Sequence, residues 1–410
     1  MSVPISVVPS TLMCNYNDAS KSYPEDYVGI FWLDPNNNMD HYGKKGLTNF
    51  NSAKKSVIFL HGWNNGIISN KTNNYNALSS NYSNKIAHAS WLSKWNVGIF
   101  RWEPFADDDD ELIPNPRKTE VKIHVGTNLR YRNKDSRGFT TAPGKSISDM
   151  FIDEYKSVKF AANLDVRLVG HSIGCQLTLS VAAGIVNLGT NVKQVNRIEL
   201  LDPYFCNGQN VDYKSTPKSS AAMARMNLSI INPSKTVPTI PVCWYQCTNL
   251  TDCDIAACSN TEMKKNVAWQ GLKFWYLGDT DFTLRHCECI SWYFLSQSLL
   301  PSYVYDSNYW YGWWNKPPTN YKYALSAEIS DDYIKKCMYD EIYWVQINNS
   351  ILNYDISSTD NTLTTSVSDD KFQIIKGKGH CPEEYDLFAC SISSVAFDVA
   401  DSGYANDLGD

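Results

Sequence analysis

The amino-acid sequence predicts an α/β protein: a mostly parallel central sheet with helices on both faces, followed by a small β-rich C-terminal extension. Three observations lead there. A short, continuous apolar run at residues 57–60 has the length and composition of a strand buried on both faces, 97–102 reads as another buried strand, and 195–201 as a strand ending in Asp-Pro. Segments with helical spacing alternate with them, as at Ile147, Met150, Phe151, Tyr155 and Val158, and that alternation implies parallel strands joined by helices. From about residue 301 the pattern changes to an aromatic-dense stretch and then to short runs that alternate apolar and polar residues, such as 342–347 and 372–375. We therefore expect a main domain over residues 1–300 and an extension over 301–410. A chain of 410 residues is long enough for both.

The elements follow in order. Residues 1–55 are polar and turn-rich apart from a strand-like run at 27–33. Residues 57–60 form the next strand and end in His61-Gly62-Trp63 and a polar turn. A short helix is expected near 83–92 and a buried strand at 97–102. Residues 107–111 are an acidic surface run, and 112–145, with Pro114, Pro116, Pro143 and many charges, read as a loop or insertion. A helix over 147–162 precedes the stretch 165–187. That stretch enters through Val166, Leu168 and Val169, turns at Gly170-His171-Ser172-Ile173-Gly174, and leaves through Leu177, Leu179, Val181, Ala182, Ala183, Ile185 and Val186 at helical spacing. The strand at 195–201 ends in Asp202-Pro203. Two strand-like runs, 241–245 and 267–276, and a helix over 286–299 complete the main domain.

Composition excludes several function classes. The formal net charge is −6, so there is no basic surplus to attract nucleic acid. No apolar run is long enough to span a membrane. The first ten residues lack the charged start and apolar centre of a signal peptide. The chain holds 12 cysteines, four of them close together at Cys243, Cys247, Cys253 and Cys258, and two more at Cys287 and Cys289. Disulfides in a secreted or lumenal protein are the leading expectation, with a cytoplasmic location as the alternative. A zinc site at the cluster of four is the runner-up, although its spacings match no standard zinc pattern. No metal or cofactor is expected.

Gly-x-Ser-x-Gly between a strand and a helix is a nucleophile elbow, with Ser172 projecting from a strained turn. A serine hydroxyl needs a base to take its proton and an acid to orient that base. In α/β-hydrolases the chain order is serine, acid, histidine. Of the seven histidines only His286 and His380 follow Ser172. His286 opens an amphipathic segment of the main domain and is favoured; His380 falls in the extension. His171, inside the elbow, suits a packing role. Asp202 ends a strand, whereas Asp252, Asp254, Asp279 and Asp281 sit in loop-like sequence. Ile173, after the nucleophile, and Trp63, after the His61-Gly62 strand end, are the expected backbone donors of an oxyanion hole.

These pieces together resemble the pancreatic-type (neutral) lipase family of α/β-hydrolases, over roughly residues 54–300. His61-Gly62-Trp63-Asn64-Asn65-Gly66 is similar to its oxyanion-loop motif, Gly170-His171-Ser172-Ile173-Gly174 to its elbow, and Leu201-Asp202-Pro203 to its acid motif. His286 with Tyr293 and Ser296 resembles the motif around its histidine. Two departures stand out: Leu284 occupies a position where the family often has a cysteine, and Cys175 one where a small residue is usual. The resemblance implies a serine ester hydrolase acting on a lipid ester, of the triacylglycerol lipase or phospholipase A1 type, at a lipid–water interface. It places a lid between Asp202 and His286. The alternatives are a catalytically silent lipid-binding or storage protein on the same scaffold, a short-chain carboxylesterase, and a peptidase.

Overall fold

The computed structural model describes residues 28–42, 49–63, 86, 89–106, 117–126, 129–132, 139–141, 144–205, 220–234, 237–248, 261–272, 282–297, 303–306, 325–340, 342–347 and 373–378. Its strands are β1 (Gly29–Leu33), β2 (Met39–His41), β3 (Lys55–Leu60), β4 (Trp95–Arg101), β5 (Arg130–Arg132), β6 (Phe139–Thr141), β7 (Val166–His171), β8 (Arg197–Leu201), β9 (Val242–Gln246), β10 (Ala268–Leu272), β11 (Tyr303–Asp306), β12 (Ile342–Ile347) and β13 (Gln373–Lys378). Its helices are α1 (Ala89–Lys94), α2 (Glu103–Ala106), α3 (Arg117–His124), α4 (Ile147–Ser157), α5 (Gly174–Asn187), α6 (Ser220–Ile231), α7 (Thr261–Lys264), α8 (Phe282–Leu295) and α9 (Asp331–Tyr339).

Among the described residues, eleven strands form one sheet in the order β11-β13-β12-β10-β9-β8-β7-β3-β4-β1-β2. Every neighbouring pair from β4 across to β12 is parallel. The antiparallel pairs lie at the two margins, β1 with β2 and β4, and β12 with β13. Every residue of β4, β7, β8, β9 and β10 is buried. Successive side chains of a strand point to opposite faces, so both faces of the centre are covered. The apolar run of β3 states the same fact, whereas β7 and β8 also bury Arg167, Arg197 and Glu199, each of them partnered.

The chain leaves β3 for β4 on one side, then returns to β7 on the other and steps through β8, β9 and β10. The order therefore reverses between β3 and β7, and the carboxyl ends of those two strands flank the crevice where ligands of open α/β sheets bind. His61 follows β3 and Ser172 follows β7. A mostly parallel sheet with a serine turn at its reversal point is an α/β-hydrolase fold.

Several elements differ from the expectations. Residues 117–124, expected in a loop, form α3, and residues 130–132 and 139–141 pair as a small antiparallel ribbon. Helix α3 is polar in composition, but tertiary bonds hold it: Lys122 Nζ donates to the Phe105 carbonyl at 3.2 Å, and Glu120 accepts from Gln176 Nε2 at 2.6 Å. Helix α4 stops at Ser157, because Val158 is already extended, and a reciprocal capping box of Ser146 and Asp149 fixes its start. Strands β11, β12 and β13 come from the stretch expected to be the extension, and they continue the central sheet beyond β10. Helix α9 falls in the same stretch. Ser330 caps it, and Asp331 and Asp332 occupy its first turn, where negative charge meets the helix dipole.

A buried charged layer joins this C-terminal segment to the sheet. Arg197, fully buried, pairs with Glu199 and donates to the carbonyls of Ile329 at 2.7 Å and Ser326 at 2.8 Å. Arg167 donates to the Ala327 carbonyl at 2.6 Å, and the Tyr293 hydroxyl donates to Glu199 at 3.2 Å. Burial pushes the Glu199 carboxyl up, against the pull of Arg197 and Arg167. Removing one member of a buried pair strands the other, at a cost of about 3–5 kcal/mol. Arg197→Met is accordingly expected to lower unfolding free energy by about that amount in urea titrations. A loss below about 1 kcal/mol, the range of an exposed ion pair, would contradict this clamp.

Candidate active site

Three strand ends build the site. At the end of β7 the chain turns through Ser172, whose φ is +56°. A non-glycine residue pays strain in this left-handed region, and such strain gathers at functional turns. Its backbone is held on both sides: the Ser172 N–H donates to the Leu201 carbonyl at 3.1 Å, and its carbonyl accepts from Cys175 at 3.0 Å and Tyr204 at 3.2 Å. The turn also demands small neighbours. A Cβ on Gly174 would lie 2.1 Å from the Leu60 carbonyl oxygen and 2.6 Å from that of His61. A Cβ on Gly62 would lie 2.7 Å from Ser172 Cβ and 3.3 Å from its hydroxyl. The backbone after β3 thus runs directly against the serine.

At the end of β8 stands Asp202, 2% exposed and also at positive φ, +39°. Its N–H donates to the Tyr245 carbonyl at 2.7 Å, which fastens it to β9. Its carboxyl group accepts from four donors. Oδ1 takes the backbone N–H groups of Cys247 at 2.7 Å and Thr248 at 2.9 Å. Oδ2 takes the Thr248 hydroxyl at 2.6 Å and His286 Nδ1 at 2.6 Å. An acceptor-only carboxylate satisfies this set.

His286 lies in α8, 9% exposed. Because Nδ1 donates to Asp202, the lone pair falls on Nε2, as a general base requires. His171, the residue before the serine, packs its ring at 4.3 Å from the His286 ring and donates from Nε2 to the His286 carbonyl at 2.9 Å. Among the described residues, no hydrogen bond takes the N–H of Ile173 or of Trp63. The end of β3 is fixed through His61, which stacks on Trp102 at 5.3 Å, lies 3.8 Å from Glu103, and whose carbonyl accepts from Trp102 Nε1 at 3.1 Å.

The structure brings Asp202 and His286 into direct contact and sets Ser172, Ile173 and Trp63 at the neighbouring strand ends. His380, Asp252, Asp254, Asp279 and Asp281 lie outside the described residues, as do residues 206–219, 235–236, 249–260 and 273–281 of the span expected to hold a lid. Thr248 and Cys247 were missed as neighbours of Asp202, whereas His171, expected to pack, does pack against His286. Thr248 carried no sequence signal, since its role depends on β9 ending beside β8.

The cysteines differ from expectation. Disulfides were expected among the cysteines, but Cys175, Cys243, Cys247, Cys287, Cys289 and Cys337 are free thiols. Cys243 faces the buried Arg197–Glu199 layer, and Cys175, Cys247 and Cys289 pack around Asp202. Burial pushes all four thiols up, which keeps them protonated and unreactive. Cys253 and Cys258 lie outside the described residues. Among the described residues no three His, Cys, Asp or Glu side chains gather to hold a metal, and no helix is long and apolar enough to cross a membrane.

No family model matches this chain, and no curated protein matches it. It is similar to solved structures that include a hydrolase from Oleispira antarctica, at 9% identity over 58% of this chain and 86% of the other, with a TM-score of 0.28. Another is MenH from S. aureus, at 12% identity over 57% of this chain and 80% of the other, with a TM-score of 0.20. Likeness at that level carries no argument about chemistry. The fold assignment rests on the sheet order and the serine turn.

The glycine contacts give a direct test. In Gly174→Ala the added methyl meets backbone atoms of β3, which cannot rotate aside. Overpacking of this kind costs about 1–3 kcal/mol. The melting temperature is expected to fall measurably by circular dichroism. An unchanged melting temperature would contradict the close approach of α5 to β3.

Proposed function

We propose that this protein is a serine ester hydrolase working through an acyl-enzyme intermediate. The observation that carries this reading is the 2.6 Å hydrogen bond from His286 Nδ1 to a fully cradled Asp202, at the strand ends beside a serine held at φ +56°. Ser172 Oγ attacks the ester carbonyl carbon while His286 Nε2 takes its proton. Asp202 keeps the imidazole in the correct tautomer and stabilises the imidazolium that forms. The carbonyl oxygen becomes an oxyanion and accepts from the N–H groups of Ile173 and Trp63. Losing one such donor typically costs about 3–4 kcal/mol of barrier. His286 then returns the proton to the departing alcohol, and water repeats the cycle on the acyl-serine.

The substrate in this proposal is a lipid ester, a triacylglycerol or a phospholipid met at a lipid–water interface. Support comes from the lipase-like motifs His61-Gly62-Trp63, Gly170-His171-Ser172-Ile173-Gly174 and Leu201-Asp202-Pro203. Trp63, half-buried and packed against the core, directly follows Gly62, whose backbone lies against the serine, and in this reading its exposed part meets the acyl chain. A silent scaffold is disfavoured because such proteins dispense with nucleophile or base, and Ser172, Asp202 and His286 are all present.

Hydrolysis of p-nitrophenyl esters from acetate to palmitate, with phospholipid and triglyceride emulsions, tests the reading. Wild type is expected to favour the longer chains, and Ser172→Ala to fall to background. Activity surviving in that variant would sink the mechanism, and preference for acetate would replace the lipase with a short-chain esterase.

Asp202→Asn, which disturbs the tautomer of His286, is expected to lower kcat by about 10⁴-fold. Thr248→Val removes one neutral donor, worth about 1–2 kcal/mol, and is expected to lower kcat roughly ten-fold with KM unchanged. Equal kcat in wild type and Thr248→Val would remove Thr248 from the acid's cradle.

A further inference from the structure

We infer that His171 is a positioning residue for the base: it fixes the ring plane and the helix of His286, which Asp202 alone does not. The inference rests on the Ser172–His286–Asp202 reading and goes beyond it. A single hydrogen bond from Nδ1 sets one edge of the imidazole but leaves the ring able to rock about the Nδ1···Oδ2 line. Rocking moves Nε2, the atom that must face the serine. A misplacement of about 1 Å at a reacting group can cost about 10²-fold in rate.

Two contacts of His171 oppose that motion, and they act on different parts of His286. The rings meet in a tilted contact, 4.3 Å between centroids with 40° between planes, so the His171 ring stands against the His286 ring. The Nε2–H of His171 donates to the His286 carbonyl at 2.9 Å, which ties the early part of α8 to the end of β7. His171 is 4% exposed and precedes Ser172 directly, so the element that carries the nucleophile also holds the base. Asp202 completes the arrangement from β8. Side chain and backbone of His286 are thus held from two adjacent strands.

The two contacts separate by substitution. His171→Phe keeps a planar ring and loses the donor. His171→Gln keeps an N–H donor and loses the ring. His171→Ala loses both. Each is compared with wild type for the rate of Ser172 labelling by a fluorophosphonate, with the site mapped by mass spectrometry, and for kcat and KM on the best p-nitrophenyl ester. The expected result is a fall of about 10- to 100-fold in labelling rate and kcat for Ala, with KM unchanged and partial rescue in Phe and Gln.

If Ala does not fold, the volume-keeping Phe and Gln variants decide, each expected below wild type in kcat. Labelling and kcat equal to wild type in the folded variants would overturn the inference while leaving the triad in place. A raised KM at unchanged kcat would assign His171 to substrate binding and overturn it too. Absence of wild-type labelling at Ser172 would instead overturn the triad reading, and the inference with it.

Discussion

The site depends on how one carboxyl group is held. Asp202 sits at the end of a fully buried strand, in a left-handed backbone conformation, with four donors on its two oxygens. A buried charge without partners costs several kcal/mol, so the surrounding chain must supply those donors. The two residues after β9, Cys247 and Thr248, supply three of them, and α8 supplies the fourth through His286. The ends of β8 and β9 and the beginning of α8 are consequently fixed to one another by a single side chain.

The cysteines take their meaning from this requirement. Cys175 lies one helical turn after the serine, Cys289 one turn after the histidine, and Cys247 donates its own N–H to the acid. All three are completely buried around Asp202. A reduced cysteine packs as a small, soft hydrophobe. It fills the space around Asp202 without adding a charge that would compete for His286. The tight approach of β3 to the elbow works by the same economy of volume: Gly62 and Gly174 leave room for backbone against backbone where a methyl group would not fit.

Much of the centre was legible in the sequence. Strand β3 announces itself as a continuous apolar run because both sheet faces are covered, β4, β7 and β8 as short, mainly apolar segments, and α5 follows the elbow with helical spacing. Chain order and strand ends then single out Ser172, Asp202 and His286 as candidates. Helix α3 was not legible, since a polar segment is held there by Lys122 and Glu120 reaching distant partners. Helix α9 carried a readable cap at Ser330, but the surrounding alternation masked it. The bond of Thr248 to Asp202 arises only when β8 and β9 converge, and no local pattern encodes it, whereas the packing of His171 follows from its place in the elbow. The cysteine spacing misled because proximity in sequence at Cys243 and Cys247 puts their side chains in different buried environments, one by Glu199 and one by Asp202.

The most direct test of the central claim is a crystal structure of the protein inhibited with a long-chain alkyl phosphonate. The account predicts phosphorus bonded to Ser172 Oγ and the phosphoryl oxygen about 2.7–3.1 Å from the N–H groups of both Ile173 and Trp63. It also predicts His286 still bound to Asp202 and His171. A phosphonate on another residue, or a phosphoryl oxygen turned away from Ile173 and Trp63, would contradict it.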